Sequence, residues 1–150
     1  MVVNIIDFAI SAGIFVALMV WYRFIPSFQV FTLPFFMLIA VATSLGICYW
    51  ISALNVKYRD FRYIVPFMIQ IGLYVSPVGF SSSIVPDKWK YLYFLNPMVG
   101  VIDGFRWGIL GSANNVNLIY LAISSIVAIS LFVSGFFFFR HMEHEFADVI

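Results

Sequence analysis

Asp103 and Arg106 are the residues whose types and spacing first invite a chemical reading. They stand three apart in the apolar stretch LNPMVGVIDGFRWGILG, residues 95 to 111, where an acid and a base can pair on one helical face. Such a pair serves either as a structural clamp or as half of an acid/base dyad. A dyad needs a second carboxylate within hydrogen-bond reach, and Asp7 falls toward the opposite membrane face in the topology given below, so the clamp is expected. The tail HMEHEFADVI sets His141 and His144 beside Glu143 and Glu145. It lacks the H-E-x-x-H arrangement of a zinc site and reads as a solvated helix end. No G-x-x-x-x-G-K-[ST] phosphate loop occurs, so any ATP-driven work falls to a partner. Neither a catalytic residue nor a metal ligand is assigned.

The elements that must position the pair belong to a membrane. Of the 150 residues, 63% are hydrophobic and 10% charged, and mean hydropathy is +1.02. A soluble domain is about half apolar and about a quarter charged. In such a chain an unpaired charge at mid-bilayer costs about 2.5 to 3.5 kcal/mol on insertion scales, so neither Asp103 nor Arg106 should face acyl chains alone. The net charge of +1 implies no nucleic-acid partner. The single cysteine, Cys48, can form no intrachain disulfide and reads as small core filling.

Four apolar blocks can cross. The first runs from Ile5 to Tyr22, with no basic segment or cleavage pattern before it, and is a span rather than a signal peptide. The second runs from about Phe31 to Leu54, after RFIPSFQV with its breaker Pro26. The third, Tyr63 to about Phe80, carries Pro66, Gly72 and the Ser76/Pro77 pair and should bend or break near its far end, because proline lacks the amide proton a continuing helix needs. The fourth runs from Leu118 to Phe139, between NNVN and Arg140. The expected fold is all-α, with four transmembrane helices and a re-entrant helical pair between the third and fourth.

That pair lies in residues 80 to 117. Trp89, Tyr91 and Tyr93 interleave with Lys88 and Lys90, which suits headgroup depth. Beyond them Asn96 is a good N-cap, Pro97 fits the first helical position and Gly111 suits a helix end. About 13 residues at 1.5 Å each reach about 20 Å, roughly two-thirds of the hydrocarbon thickness. Gly100, Gly104 and Gly108 recur every fourth residue as a bare ridge for close helix packing. A cytoplasmic start puts Lys57, Arg59, Arg62 and Arg140 inside and Arg23, Lys88, Lys90 and Arg106 outside. The counts tie, and the short, dense loop LNVKYRDFRY favours that orientation.

Taken in order, ALNVKYRDFRYIVPFMIQIGLYVSPVGF, IVPDKWKYLYFLNPMVGVIDGFRW and FRHMEHEFADVI resemble the permease subunit of ABC-2 type exporters. The likeness is to the branch that moves O-antigen, teichoic acid and capsular glycans. It implies one membrane domain over residues 1 to 150, similar to spans three to six of a six-span permease. The family's first two spans and coupling helix have no counterpart here. The chain is therefore expected to be a fragment or truncated reading frame, not transporting alone.

By the same resemblance, Tyr58, Arg59, Asp60 and Arg62 occupy a cytoplasmic loop near the ATPase. Residues Pro77 to Leu110 form the outer gate, with Asn96, Pro97, Gly100, Asp103, Gly104, Arg106 and Trp107 at its centre. Tyr91, Tyr93, Phe105 and Trp107 can offer rings to a passing glycan, with packing as the plain alternative for each. Exchanging Asp103 and Arg106 should preserve much of the function, whereas removing either should impair it. The implied partners are an ABC ATPase subunit carrying ATP and magnesium, a second permease chain as a homodimer, a lipid-linked glycan and membrane lipid, in the bacterial cytoplasmic membrane. This chain itself binds no cofactor and is no enzyme. A permease for a drug or another lipid, and a noncatalytic scaffold, are the other readings.

Overall fold

The computed structural model describes residues 2–24, 28–58, 60–111 and 117–147, with side chains between 6 and 143. Every regular element among them is helical. Helix α1 spans Val2–Trp21. A 3-10 turn, Phe28–Thr32, leads into α2, Leu33–Lys57. Next come α3, Phe61–Val75, a second 3-10 turn at Ser82–Ile84, α4, Asp87–Tyr93, α5, Pro97–Leu110, and the long α6, Leu118–Ala147.

Two segments are long and apolar enough to cross a membrane, Phe28–Lys57 and Leu118–Glu143. The other apolar helices are shorter: Ile6–Trp21 for the apolar part of α1, and Phe61–Val75 for α3. Of the four expected crossings, length and composition therefore single out the second and the fourth.

α2 and α6 pack along much of their lengths, and glycine makes this possible. A Cβ on Gly46 would lie 2.7 Å from the Phe132 backbone nitrogen, and one on Gly135 2.6 Å from the Gly46 carbonyl oxygen. Backbone meets backbone there, as at small-residue crossings in lipid. Aromatic rings fill the space beside the crossing. Trp50 stacks on Phe138 with centroids 4.3 Å apart, and Tyr49 touches Phe132, Phe136 and Phe139. Two hydroxyls inside the helices are satisfied locally: Thr43 donates to the Ile39 carbonyl at 2.8 Å and Ser125 to that of Leu121 at 2.8 Å, the usual arrangement where water is scarce.

α5 completes the packed unit, wedged between α2 and α6. The core is Phe36 and Ile39 from α2, Val101 from α5, and Leu121 and Ala128 from α6. α1 and α3 stay outside it, with no fully buried residue in α3 or among the described side chains of α1.

α3 runs through Pro66 unbroken and ends at Ser76, where the chain turns extended. Pro66 lies in the second turn, so the missing amide frees only the Arg62 carbonyl near the helix start. The expected break falls where Ser76 and Pro77 stand.

Candidate functional site

α5 is built as its residues dictate. Asn96, in extended conformation, accepts from the Met98 amide through Oδ1 at 3.0 Å, and Pro97 takes the first helical position. At the other end Gly111 adopts φ 69°, and its amide bonds the Trp107 carbonyl. A helix of 14 residues results, about 21 Å long at 1.5 Å per residue.

Its glycines face two neighbours rather than one. A Cβ on Gly100 would collide with the Ser124 side chain of α6, and one on Gly104 with the Phe36 ring of α2. At Gly108 it would come within 2.9 Å of Leu33. The ridge is filled from within the chain and wedges α5 into the α2–α6 pair.

Arg106 makes several polar contacts. Its Nη2 donates to the Pro77 carbonyl at 2.6 Å and to that of Val78 at 3.2 Å, and its Nη1 to that of Phe80 at 2.8 Å. Asp103 is also beside it, with Nη1 to Oδ1 at 3.6 Å. The expected pair is therefore present, but the short bonds go to the backbone beyond the end of α3. The physical reason is the break itself. Irregular chain past a helix end in an apolar setting leaves carbonyls without amide partners, and each unsatisfied group costs several kcal/mol in hydrocarbon. A guanidinium carries five donors in a rigid fork, and one side chain supplies three of those carbonyls. This revises the expected tolerance of a charge exchange: an aspartate at position 106 has nothing to donate, so the swap removes the backbone bonds along with the pair.

The other polar groups tighten the same junction. Asn96 donates from Nδ2 to the Ser76 hydroxyl at 3.1 Å, so the cap of α5 is also tied to the end of α3. Ser124, fully buried, donates to the Phe94 carbonyl at 2.8 Å and fixes the α4–α5 turn to α6. Phe94 stacks on Tyr120 there, with centroids 4.8 Å apart. Asp103 is buried beside Arg106. The cluster is a tie between helices. Among the described residues no group of three His, Cys, Asp or Glu side chains gathers as metal ligands do.

The ring residues divide. Tyr91 is exposed and meets Tyr120 edge to face at 5.2 Å, next to exposed Trp89. Tyr93 is half-buried, its hydroxyl enclosed without a hydrogen-bond partner. Phe105 and Trp107 pack against the core. Lys90 pairs with Asp87 at 2.6 Å, and this contact raises the lysine pKa above its ordinary value. Tyr58 and Asp60, before α3, are exposed, as is Arg62, which the structure places in the first turn of α3 rather than in the loop and which lies over the Tyr63 ring at 5.2 Å. Arg59 lies outside the described residues, as do the side chains of His144 and Glu145 and of the FADVI segment.

Sequence reasoning missed the bond from Asn96 to Ser76, the roles of Ser124, Gly46 and Gly135, and the carbonyls of Pro77, Val78 and Phe80. Carbonyls carry no residue-type signal, but the proline at 77 did announce that some would be stranded. Arg106 was the available cation in the neighbouring stretch.

Two long apolar helices thus pack together, with a short helix wedged between them and polar ties at its margins. The chain belongs to the ABC-2 type transporter family, whose model matches residues 1–110. It is 25% identical over 146 residues to a Klebsiella pneumoniae protein named O-antigen export system permease protein RfbA, covering 97% of this chain and 56% of that one. A Myxococcus xanthus protein of the same name is 27% identical over 107 residues, covering 70% of this chain and 41% of its own. The inner membrane transport permease YadH of Escherichia coli K12 is 33% identical over 116 residues, 73% of this chain and 44% of that protein. The chain thus spans about half the length of the curated relatives it matches. No solved structure matches it.

Proposed function

We propose that this chain is part of the membrane-spanning permease of an ATP-driven exporter that moves lipid-linked polysaccharide across the bacterial cytoplasmic membrane. One observation carries the reading: the likeness to permeases named for O-antigen export runs over 97% of the chain. In this proposal α1 and α3 cross beside α2 and α6, giving a single membrane domain with four spans. α4 lies at headgroup depth, and α5 dips into the outer leaflet and returns. Its 14 residues fall short of the about 20 that a crossing needs.

The gate role follows from that placement. Asn96, Pro97, Gly100, Asp103, Gly104, Arg106 and Trp107 hold α5 against α2, α6 and the end of α3. The exposed Tyr91 is the ring best placed to meet a sugar face, while Phe105 and Trp107 support the gate from within. Tyr58, Arg59 and Asp60, with Arg62 in the first turn of α3, face a separate ATPase subunit, which binds ATP and magnesium. A second permease chain completes the channel.

The test is a strain lacking the full-length permease. Lipid-linked glycan should accumulate on the cytoplasmic side, and export should return with the wild-type gene. An unchanged glycan profile together with lost efflux of a drug or another lipid would assign the chain to a different cargo. Purification without any associated ATPase activity would remove the exporter reading altogether.

A further inference from the structure

Between the C-terminal half of α1 and α5 lies a cleft of about 650 Å³, a volume typical of small-ligand sites. One wall is a stripe of α1, Phe15, Leu18 and Met19, continued by Tyr22 just past the helix end. Opposite it α5 presents Ile102, Arg106 and Ile109. Both stripes follow the three-and-four spacing of a helix face that buries against a partner, yet the two helices stand apart. Phe15 and Leu18 are 41% and 50% exposed.

The end of α1 contributes to the same cleft. Arg23 adopts φ 51°, the left-handed conformation usually left to glycine, at roughly 1 to 2 kcal/mol. The Phe24 amide then bonds the Met19 carbonyl at 2.9 Å and the Arg23 amide that of Val20 at 3.1 Å. This is the turn that folds the residue after a helix back onto its last turn. Phe24 joins Met19 in the lining.

Arg106 is the charged group in that lining, and the Tyr22 hydroxyl is its other polar side-chain group. The Arg106 side chain is 27% exposed, whereas that of Asp103, 7% exposed, is not on the wall. An occupant therefore meets the donor and not the acid. The three backbone bonds use the Nη atoms, so the fork is held in place with its Nε–H free of them. Fixing a donor before the ligand arrives lowers the entropy lost on binding. Apolar walls with one fixed cation complement a chain of methylenes ending in a phosphate. A saccharide would need many more hydrogen-bonding side chains than Arg106 and Tyr22 provide.

We propose that this cleft binds one membrane phospholipid, an acyl chain lying between α1 and α5 and its phosphate oxygen accepting from Arg106. The inference depends on the chain being in a membrane and not on which cargo is exported.

The test uses the full chain purified in detergent after growth in ordinary lipid, with retained lipid identified by native mass spectrometry and counted by phosphorus analysis. The wild type should keep one phospholipid per chain through extensive washing. Met19→Trp, which fills the cleft and leaves the Arg106 contacts alone, should lower retention at least tenfold with helix content unchanged. Arg106→Lys, which keeps the charge and loses the fork, should retain less than the wild type and more than Met19→Trp. No retained phospholipid in the wild type, or equal retention in Met19→Trp, would overturn the proposal. Recovery of a lipid-linked saccharide in place of phospholipid would overturn it too.

Discussion

Helices α3 and α5 are near twins in sequence terms. They have 15 and 14 residues, each contains proline and glycine, and both are apolar. Yet α5 buries seven of its residues, and α3 buries none. The difference lies in what each glycine faces and in where the polar groups stand. Gly100 and Gly104 oppose Ser124 and Phe36, so removing their side chains lets two neighbours close in. A Cβ on Gly72 of α3 would meet nothing within 4 Å. The chain just past α3 is tied to α5, by Asn96 to the Ser76 hydroxyl and by Arg106 to the carbonyls of Pro77 and Phe80. A short apolar helix is thus placed by its glycine register and end contacts, while its greasiness says only that it belongs in lipid.

The same substitution in the two helices sharpens this contrast most. Gly104→Ala pushes a methyl group into the buried Phe36 ring and should destabilise the protein by about 2 to 3 kcal/mol, read as a lowered unfolding midpoint in detergent. Next in size is Arg106→Gln, which leaves stranded carbonyls after α3 with a weaker, uncharged donor. A loss of about 2 kcal/mol is expected, with faster proteolysis between residues 76 and 86. The double exchange Asp103→Arg with Arg106→Asp should be at least as damaging, and full rescue by it would break the account of Arg106 as a backbone donor. Asn96→Ala removes the cap and the bond to Ser76, for about 1 kcal/mol. Gly72→Ala reverses the sign: with open space around it, alanine should stabilise α3 by about 0.5 kcal/mol or leave it unchanged. Equal losses at Gly72 and Gly104 would erase the distinction between the helices.

Much of this was legible in the sequence because it was local. The cap at Asn96, the proline at 97, the glycine end at 111 and the break at Ser76 and Pro77 are each set by residues within a few positions of the event. The glycine ridge was visible as spacing, but not that it serves two partners, since Ser124 and Phe36 lie far away along the chain. The charged pair was visible as well. What escaped was that Arg106 bonds chiefly to carbonyls 26 to 29 positions earlier. A pattern of side chains shows which groups need partners, and only the packed chain decides which backbone atoms lie near enough to supply them. Gly46 and Gly135 escaped for the same reason, being single glycines in long apolar helices whose meaning appears where the helices cross.

The central claim is that α5 enters from the outer face and returns to it. In a Cys48→Ser background, single cysteines at Leu95, Met98, Ile102 and Leu110 in sealed vesicles of known orientation, probed with a membrane-impermeant maleimide, test this directly. The account predicts labelling of Leu95 and Leu110 from the outside alone, with Met98 and Ile102 protected from both sides. Labelling of one end from each side would make α5 a crossing helix and contradict it, as would labelling of Ile102 from the cytoplasmic side.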